Sequence, residues 1–329
     1  TWVGTREGGA FEAPRIVVRE LDTLGRIRRF DLYNLDQLDE ARARFEALRP
    51  DPLRIPPNAA MRNAEGWKAA YEAQDWEALR ANCSPELVFD DRRRSVLLTG
   101  DLETFVANNR WLGKHGRTRI ETSLLATAGE RLMLSRLRFT GSENDVLLVE
   151  AETLVVTEVD EAGRALAIIQ FDPEDRRAAS VEMVERFARG DEAKWTPAAY
   201  FEILRAGMAH DLERLRGVLP DDFFLDDHRR TGAGRIEGAD SFVRWIAALF
   251  ELSPDAIIES MHQLATSEHG ILDVAHTFGA LADGGAFESV FARVFVFRGG
   301  RFVGAEVFEL DDLELARARF AALGAEAAP

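Results

Sequence analysis

Two short runs carry residue types suited to chemistry: Asp-Asp-Arg-Arg-Arg at 90 to 94, and Asp-Asp-His-Arg-Arg at 226 to 230. A carboxylate moves protons only when burial or neighbouring charge brings its pKa toward the working pH. Asp91 and Asp227 are therefore the candidate general bases, and the cations beside them, Arg93 and His228 among them, bear on that role. Adjacent positive charge holds a carboxylate ionised and makes it a better ion-pair anchor than a base. A second constellation follows, with His262, Asp273 and His276 and then Glu288 and Glu306. Histidine titrates near neutrality, so His276 beside a carboxylate suits acid–base work or pH sensing. The histidines never recur at i, i+2 or i, i+4, and Cys83 is the single cysteine, so neither a metal nor a cofactor is expected. The run TGAGRIEG, 231 to 238, is rich in glycine but misses the spacing of a phosphate loop.

The balance of charge narrows the partners. Fifty-seven acidic residues against forty-one basic ones leave a net charge of −16, which repels phosphate backbones and anionic membrane surfaces. Nucleic acid and membrane are both expected to be absent from its partners. One cysteine makes no internal disulfide, and no apolar run is long enough for a spanning helix, so the chain reads as cytoplasmic. Its first residues, Thr-Trp-Val-Gly-Thr, read as the middle of a strand, which suggests a piece of something longer.

An internal repeat must position these residues. GGAFEAPRIVVRELDTLGRIRRFDLYNLDQLDEARARFEAL, 8 to 48, is matched by GGAFESVFARVFVFRGGRFVGAEVFELDDLELARARFAAL, 284 to 323. A third copy runs through VEAETLVVTEVDEAGR, which places Glu12, Glu150 and Glu288 at one repeat position. Upstream, DWEALRANCSPELVFDDRRR at 75 parallels DLERLRGVLPDDFFLDDHRR at 211. The expected organisation is a C-terminal half unit at 1–48, a proline-rich linker at 49–64, a full unit at 65–190, a linker at 191–197 and a second full unit at 198–324.

Periodicity then orders the elements. Trp67, Ala70, Tyr71 and Leu79 predict one helix over 65–82, stopped by Ser84-Pro85. A strand at 87–89, a short helix near 105–112 and alternating strands follow. From Val290 to Phe297 one face carries Val290, Ala292, Val294 and Val296, and the other Phe291, Arg293, Phe295 and Phe297. Gly299-Gly300 supplies the positive φ of a tight hairpin. Leu38, Ala41, Phe45 and Leu48 form a helical stripe that Leu313, Ala316, Phe320 and Leu323 repeat. For the opening half unit three strands and a helix are expected, with an edge open to pairing.

This order of elements, with its Asp-Trp or Asp-Leu start and Phe-Asp-Asp or Leu-Asp-Asp strand end, resembles the NTF2-like superfamily and in particular its SnoaL-like branch. The resemblance covers both full units and the half unit. It implies an α+β fold of tandem cone-shaped domains, each with N-terminal helices packed on a curved, mostly antiparallel sheet that encloses a pocket. In the family's isomerases and cyclases a strand-end carboxylate acts as base, which falls on Asp91 and Asp227. The oxyanion-donating tyrosine of ketosteroid isomerases falls on Trp67 and Ile203. The Asp-Arg-Asp network of limonene-epoxide hydrolases points to Arg136 and Arg138 with Asp91, whereas the last unit has Ala275 and Thr277 there. Trp111 and Trp245 lie on the short helix that would roof a pocket. The runs DDRRR, FDPEDRRAAS and DDHRRTG also resemble the C-terminal regions of large bacterial multidomain regulators.

Two functions follow as expectations. One is a non-catalytic module that binds a small apolar or mixed-polarity molecule, or that associates as a homodimer through sheet faces or the edge of residues 1–48. The other is a cofactor-free enzyme using a pocket aspartate for isomerase, cyclase or epoxide-hydrolase chemistry. The residues expected at a pocket are Asp91, Asp227 and His276 for catalysis, and Trp67, Arg93, Trp111, Arg136, Arg138, His228, Trp245, His262 and Glu288 for ligand contact.

Overall fold

A computed structural model of the chain describes residues 2–6, 9–21, 26–48, 53, 55–114, 117–143, 146–281 and 284–326. It divides into two compact units, residues 1–54 and 55–329.

In the first unit β1 (Trp2–Arg6) pairs with β2 (Gly9–Ala13), and β3 (Ile16–Leu21) pairs with β4 (Ile27–Tyr33), both antiparallel. There are thus four strands where three were expected. α1 (Leu38–Leu48) follows, and Arg44 on it donates to Asp31 at 2.9 Å and to Glu20 at 3.3 Å. Val18 and Ala41 are buried on that face. Val17 pairs with Leu32, and Arg19 with Phe30, on the opposite face, where Val17, Phe30 and Leu32 are exposed.

The second unit runs twice through one order of elements. Its first pass comprises α2 (Ala59–Glu72), α3 (Trp76–Ala81), β5 (Cys83–Asp91), β6 (Leu98–Gly100), α4 (Leu102–Gly113), β7 (Arg117–Ala128), β8 (Leu132–Glu143), β9 (Val146–Val159), β10 (Ala165–Phe171) and α5 (Arg176–Arg189). Its second comprises α6 (Ala198–Ala209), α7 (Leu212–Val218), β11 (Phe224–Asp227), β12 (Gly234–Glu237), α8 (Ala239–Leu252), β13 (Ile257–Ser267), β14 (Gly270–Ala280), β15 (Ala286–Arg298), β16 (Arg301–Glu309) and α9 (Leu313–Glu326). The α+β plan of helices followed by a mostly antiparallel sheet is the plan found.

Local chemistry explains these elements. Asp75 caps α3 by accepting from the backbone N–H of Ala78 at 3.0 Å, and Asp211 caps α7 by accepting from Arg214 at 2.9 Å. The recurring Asp-Trp and Asp-Leu are therefore helix starts. They also divide the single helix expected over 65–82: the chain turns at Gln74, φ +55°, and at His210, φ +55°, and a new helix begins. Pro85 does not stop a helix but lies inside β5. Gly299 and Gly300 have φ of +56° and +71°, as the β15–β16 hairpin requires.

All twelve strands form one sheet in the order β12-β11-β16-β15-β14-β13-β7-β8-β9-β10-β5-β6. One half is the mirror of the other, and equivalent strands β13 and β7 meet in the middle at a single pair, His262 with Thr127. That seam is short, and packing reinforces it. Met183 and Phe187 of α5 share one core with Tyr200 and Phe201 of α6 and Phe295 of β15. Ala193, in the turn Asp191–Trp195 that joins the two passes, is buried in the same core. Among the described residues, no helix is long and apolar enough to cross a membrane. Replacing the α7 cap, Asp211→Ala, should lower stability by about 1 kcal/mol; urea unfolding should show an earlier midpoint with an unchanged slope, and an unchanged midpoint would deny the cap its role.

Candidate functional site

A cavity of about 250 Å³ lies in the second pass, between helices α6 to α8 and the inner face of β13 to β16. The period of two along a strand decides what reaches it. Across β14 and β15, Asp273 pairs with Arg293, Ala275 with Phe291 and Thr277 with Ser289, so these six share the inner face. Leu204, Ile246, Phe295 and Phe302 make much of the wall apolar, and Trp245 stands at it 37% exposed. Arg229, Arg293, Thr277 and Ser289 supply its polar edges.

Both guanidiniums are held from behind. Arg229 donates Nε to Asp227 Oδ1 at 2.9 Å and Nη2 to Oδ2 at 2.8 Å; Arg293 does the same to Asp273 at 3.1 and 2.7 Å. The side chains of Asp227 and Asp273 are fully buried, and neither lines the cavity. Each guanidinium also lies over a ring, Arg229 over Phe291 at 4.5 Å and Arg293 over Phe295 at 4.2 Å. Asp227 further accepts from the backbone N–H of Arg229 and Ala233. A Cβ at Gly232 would stand 2.4 Å from the Asp227 carboxyl, so that glycine of TGAGRIEG serves a loop folded tightly over a carboxylate. Burial alone would raise the pKa of Asp227, but the Arg229 guanidinium and the backbone donors outweigh it and hold the group below its ordinary value. A carboxylate so held is an anchor, and a weak base.

The first pass repeats the clamp but not the cavity. Arg93 donates Nε and Nη2 to the buried Asp91 at 2.9 and 2.5 Å. The corresponding space there is only about 40 Å³, lined by Trp67, Phe105, Leu137 and Val155. Trp67, whose Nε1 donates to Asn109 at 3.2 Å, occupies the repeat position that Ile203 holds in the second pass. An indole thus takes up room that isoleucine leaves open.

Several expected site residues lie elsewhere. Arg136 and Arg138 are exposed, on the face opposite Ser135 and Leu137, which line the small space; they reach neither it nor Asp91. The matching of Arg136 and Arg138 to Ala275 and Thr277 is one residue out of register. The hairpins pair Ala128 with Leu132 and Ser267 with Gly270, which makes Ser135 the equivalent of Asp273 and Val155 that of Arg293. A one-residue slip moves every side chain to the other face. Trp111 is 60% exposed on α4 and is not among the residues that line either space.

His276 pairs with Glu259 and Val290, on the face away from the cavity. Its Nδ1 is 3.2 Å from Glu259, while its Nε2 stands 2.9 Å from Glu288 but off the direction a hydrogen bond needs. Glu288 is exposed there. Glu259 is buried and also accepts from Arg176 at 2.6 and 3.0 Å and from Ser180 at 2.5 Å. Burial would raise its pKa, and His276, Arg176 and Ser180 together hold it low. His262 is buried at the seam, its Nδ1 3.0 Å from the Thr127 hydroxyl. His228 is half-exposed, 3.5 Å from Glu306 and against the Phe308 ring. The side chains of Glu12 and Glu150 lie outside the described residues.

Comparison with solved structures finds partial matches at low identity. The chain is 12% identical to the Δ5-3-ketosteroid isomerase from Mycobacterium sp., over 36% of this chain and 95% of that one, TM-score 0.32. It is 18% identical to an NTF2-like protein of unknown function from Burkholderia pseudomallei K96243, over 36% and 92%, TM-score 0.30. AusH from Aspergillus nidulans matches at 15%, over 35% and 86%, TM-score 0.31. Each match spans about a third of this chain. No family model matches the chain, and neither does any curated protein.

The clamp predicts an acid-sensitive contribution to stability. The folded pKa of Asp227 lies below its unfolded value, so its contribution is present above the ordinary carboxylate range and is lost as pH falls through the folded pKa. Asp227→Ala should cost about 3 kcal/mol, the usual toll of stranding one partner of a buried pair. Unfolding followed against pH should show a flatter acid limb in the variant; parallel limbs would contradict the clamp.

Proposed function

We propose that this chain is a tandem NTF2-like, SnoaL-like module whose second full unit binds a small, mainly apolar molecule, the first full unit supporting it with a filled interior. The carrying observation is the cavity itself: about 250 Å³ of largely apolar wall with fixed donors, against about 40 Å³ beside Trp67 in the first pass. It is slightly smaller than the roughly 300–1,000 Å³ common for drug-sized ligands, which suits a compact guest. Binding is favoured over proton transfer because Asp91, Asp227 and Asp273 are each held by an arginine through two hydrogen bonds. His276 and Glu259 stand on the other side of the sheet.

Self-association belongs to the same proposal. Val17, Phe30 and Leu32 occupy the repeat positions of Arg293, Ala305 and Val307, so the exposed face of β3–β4 corresponds to a cavity face. A second copy covering that face would give a dimer in sedimentation velocity that Phe30→Glu disperses. A dimer that survives the change would move the contact elsewhere.

Octan-1-ol tests the binding site. A ligand that binds only folded protein raises the melting temperature with its occupancy. The full chain should show such a rise, and Ile203→Trp, which installs the first pass's indole, should abolish it while circular dichroism stays unchanged. Ala305→Leu, a smaller filling of the same wall, should weaken it. No rise in the unaltered chain, or an equal rise in both variants, would remove the cavity from the account.

A further inference from the structure

The wall of the cavity narrows the chemistry of its guest, an argument that rests on the reading of this cavity as a binding site. Its polar edges are guanidinium N–H groups and the hydroxyls of Thr277 and Ser289, while the two carboxylates stay behind the arginines. Arg229 uses Nε and Nη2 on Asp227 and directs Nη1 to Ser289 Oγ at 3.2 Å. Arg293 uses Nε and Nη2 on Asp273, and its Nη1 has no acceptor among the described residues. Its side chain is only 11% exposed and lines the cavity. A guanidinium locked by a carboxylate on one edge and a phenyl ring on its face is preorganised to bind an oxyanion on the other.

We infer that the cavity takes a small apolar carboxylic acid, its carboxylate on Arg293 with Ser289 and Arg229 alongside, and its hydrocarbon body among Leu204, Ile246 and Phe302. Charge-assisted hydrogen bonds from a fixed guanidinium are stronger than neutral ones and favour a planar two-oxygen acceptor. An alcohol of equal length gains the same apolar contact but makes fewer and weaker hydrogen bonds, and an ammonium meets only donors and hydroxyls.

Isothermal titration calorimetry of the full chain at pH 7.5 with octanoate, octan-1-ol and octylamine tests this. Octanoate should bind one to one at least ten-fold tighter than octan-1-ol, and octylamine should not bind. Because Arg293→Met alone strands a buried Asp273, the informative variant is Asp273→Leu with Arg293→Met, which removes both partners. There octanoate should lose its advantage and the two affinities should come within about two-fold. Octan-1-ol equal to octanoate in the unaltered chain would overturn the acid while leaving the cavity a binding site. Neither ligand binding would overturn both. A preference for octanoate that persists in the double variant would overturn the assignment to Arg293.

Discussion

A buried carboxylate that grips an arginine through two parallel hydrogen bonds fixes where a cation can stand. In this chain the device recurs at Asp91–Arg93 and Asp227–Arg229 through the same i, i+2 geometry, and a third form, Asp273–Arg293, spans two neighbouring strands. Desolvating such charges is expensive, and a pair of this kind is stable only when geometry and further hydrogen bonds are good. The loop drawn over Asp227, the tight approach of Gly232 and the rings under the Arg229 and Arg293 guanidiniums supply that. The consequence for function is direct. Asp227 and Asp273 are held as anchors, and the arginines they hold, Arg229 and Arg293, form the polar edge of an otherwise apolar cavity.

The second constraint is that equivalent strands of two repeats meet edge to edge. β13 and β7 share one ladder pair, which would make a weak joint alone. Side chains carry the remainder: Arg176 and Ser180 at the start of α5 converge on Glu259 of β13, and Arg177 donates to the backbone of Asp255 and Ala256. His276 belongs to this cluster. Its contact with Glu259 therefore bears on how the repeats are joined.

Much of the architecture was legible because repetition amplifies weak local signals. Asp75 and Asp211 at one repeat position, Gly299-Gly300 between two alternating runs and the stripes Leu38-Ala41 and Leu313-Ala316 all match elements of the fold. The site was less legible, for reasons of geometry. The sequence reading sets Arg136 and Arg138 opposite Ala275 and Thr277. The hairpin registers place them one residue away, and with period two that error exchanges the faces of the sheet. Arg293 was visible as the lone charge on a phenylalanine face, but its partner Asp273 lies twenty residues away on another strand. The gap between Trp67 and Ile203, which decides which unit has room, is a difference of volume that no motif records. The helix division at Gln74 and His210 rests on single residues with positive φ, which periodicity alone does not reveal.

The account turns on what occupies the space in front of Arg293. A crystal structure of the chain grown with octanoate addresses this directly. The account predicts density for the acid between α8 and β14 to β16, its two oxygens within hydrogen-bond distance of Arg293, with both arginines still bound to Asp227 and Asp273. An empty cavity with octanoate on the outer surface, or Asp227 freed from Arg229 and turned toward the ligand, would contradict it.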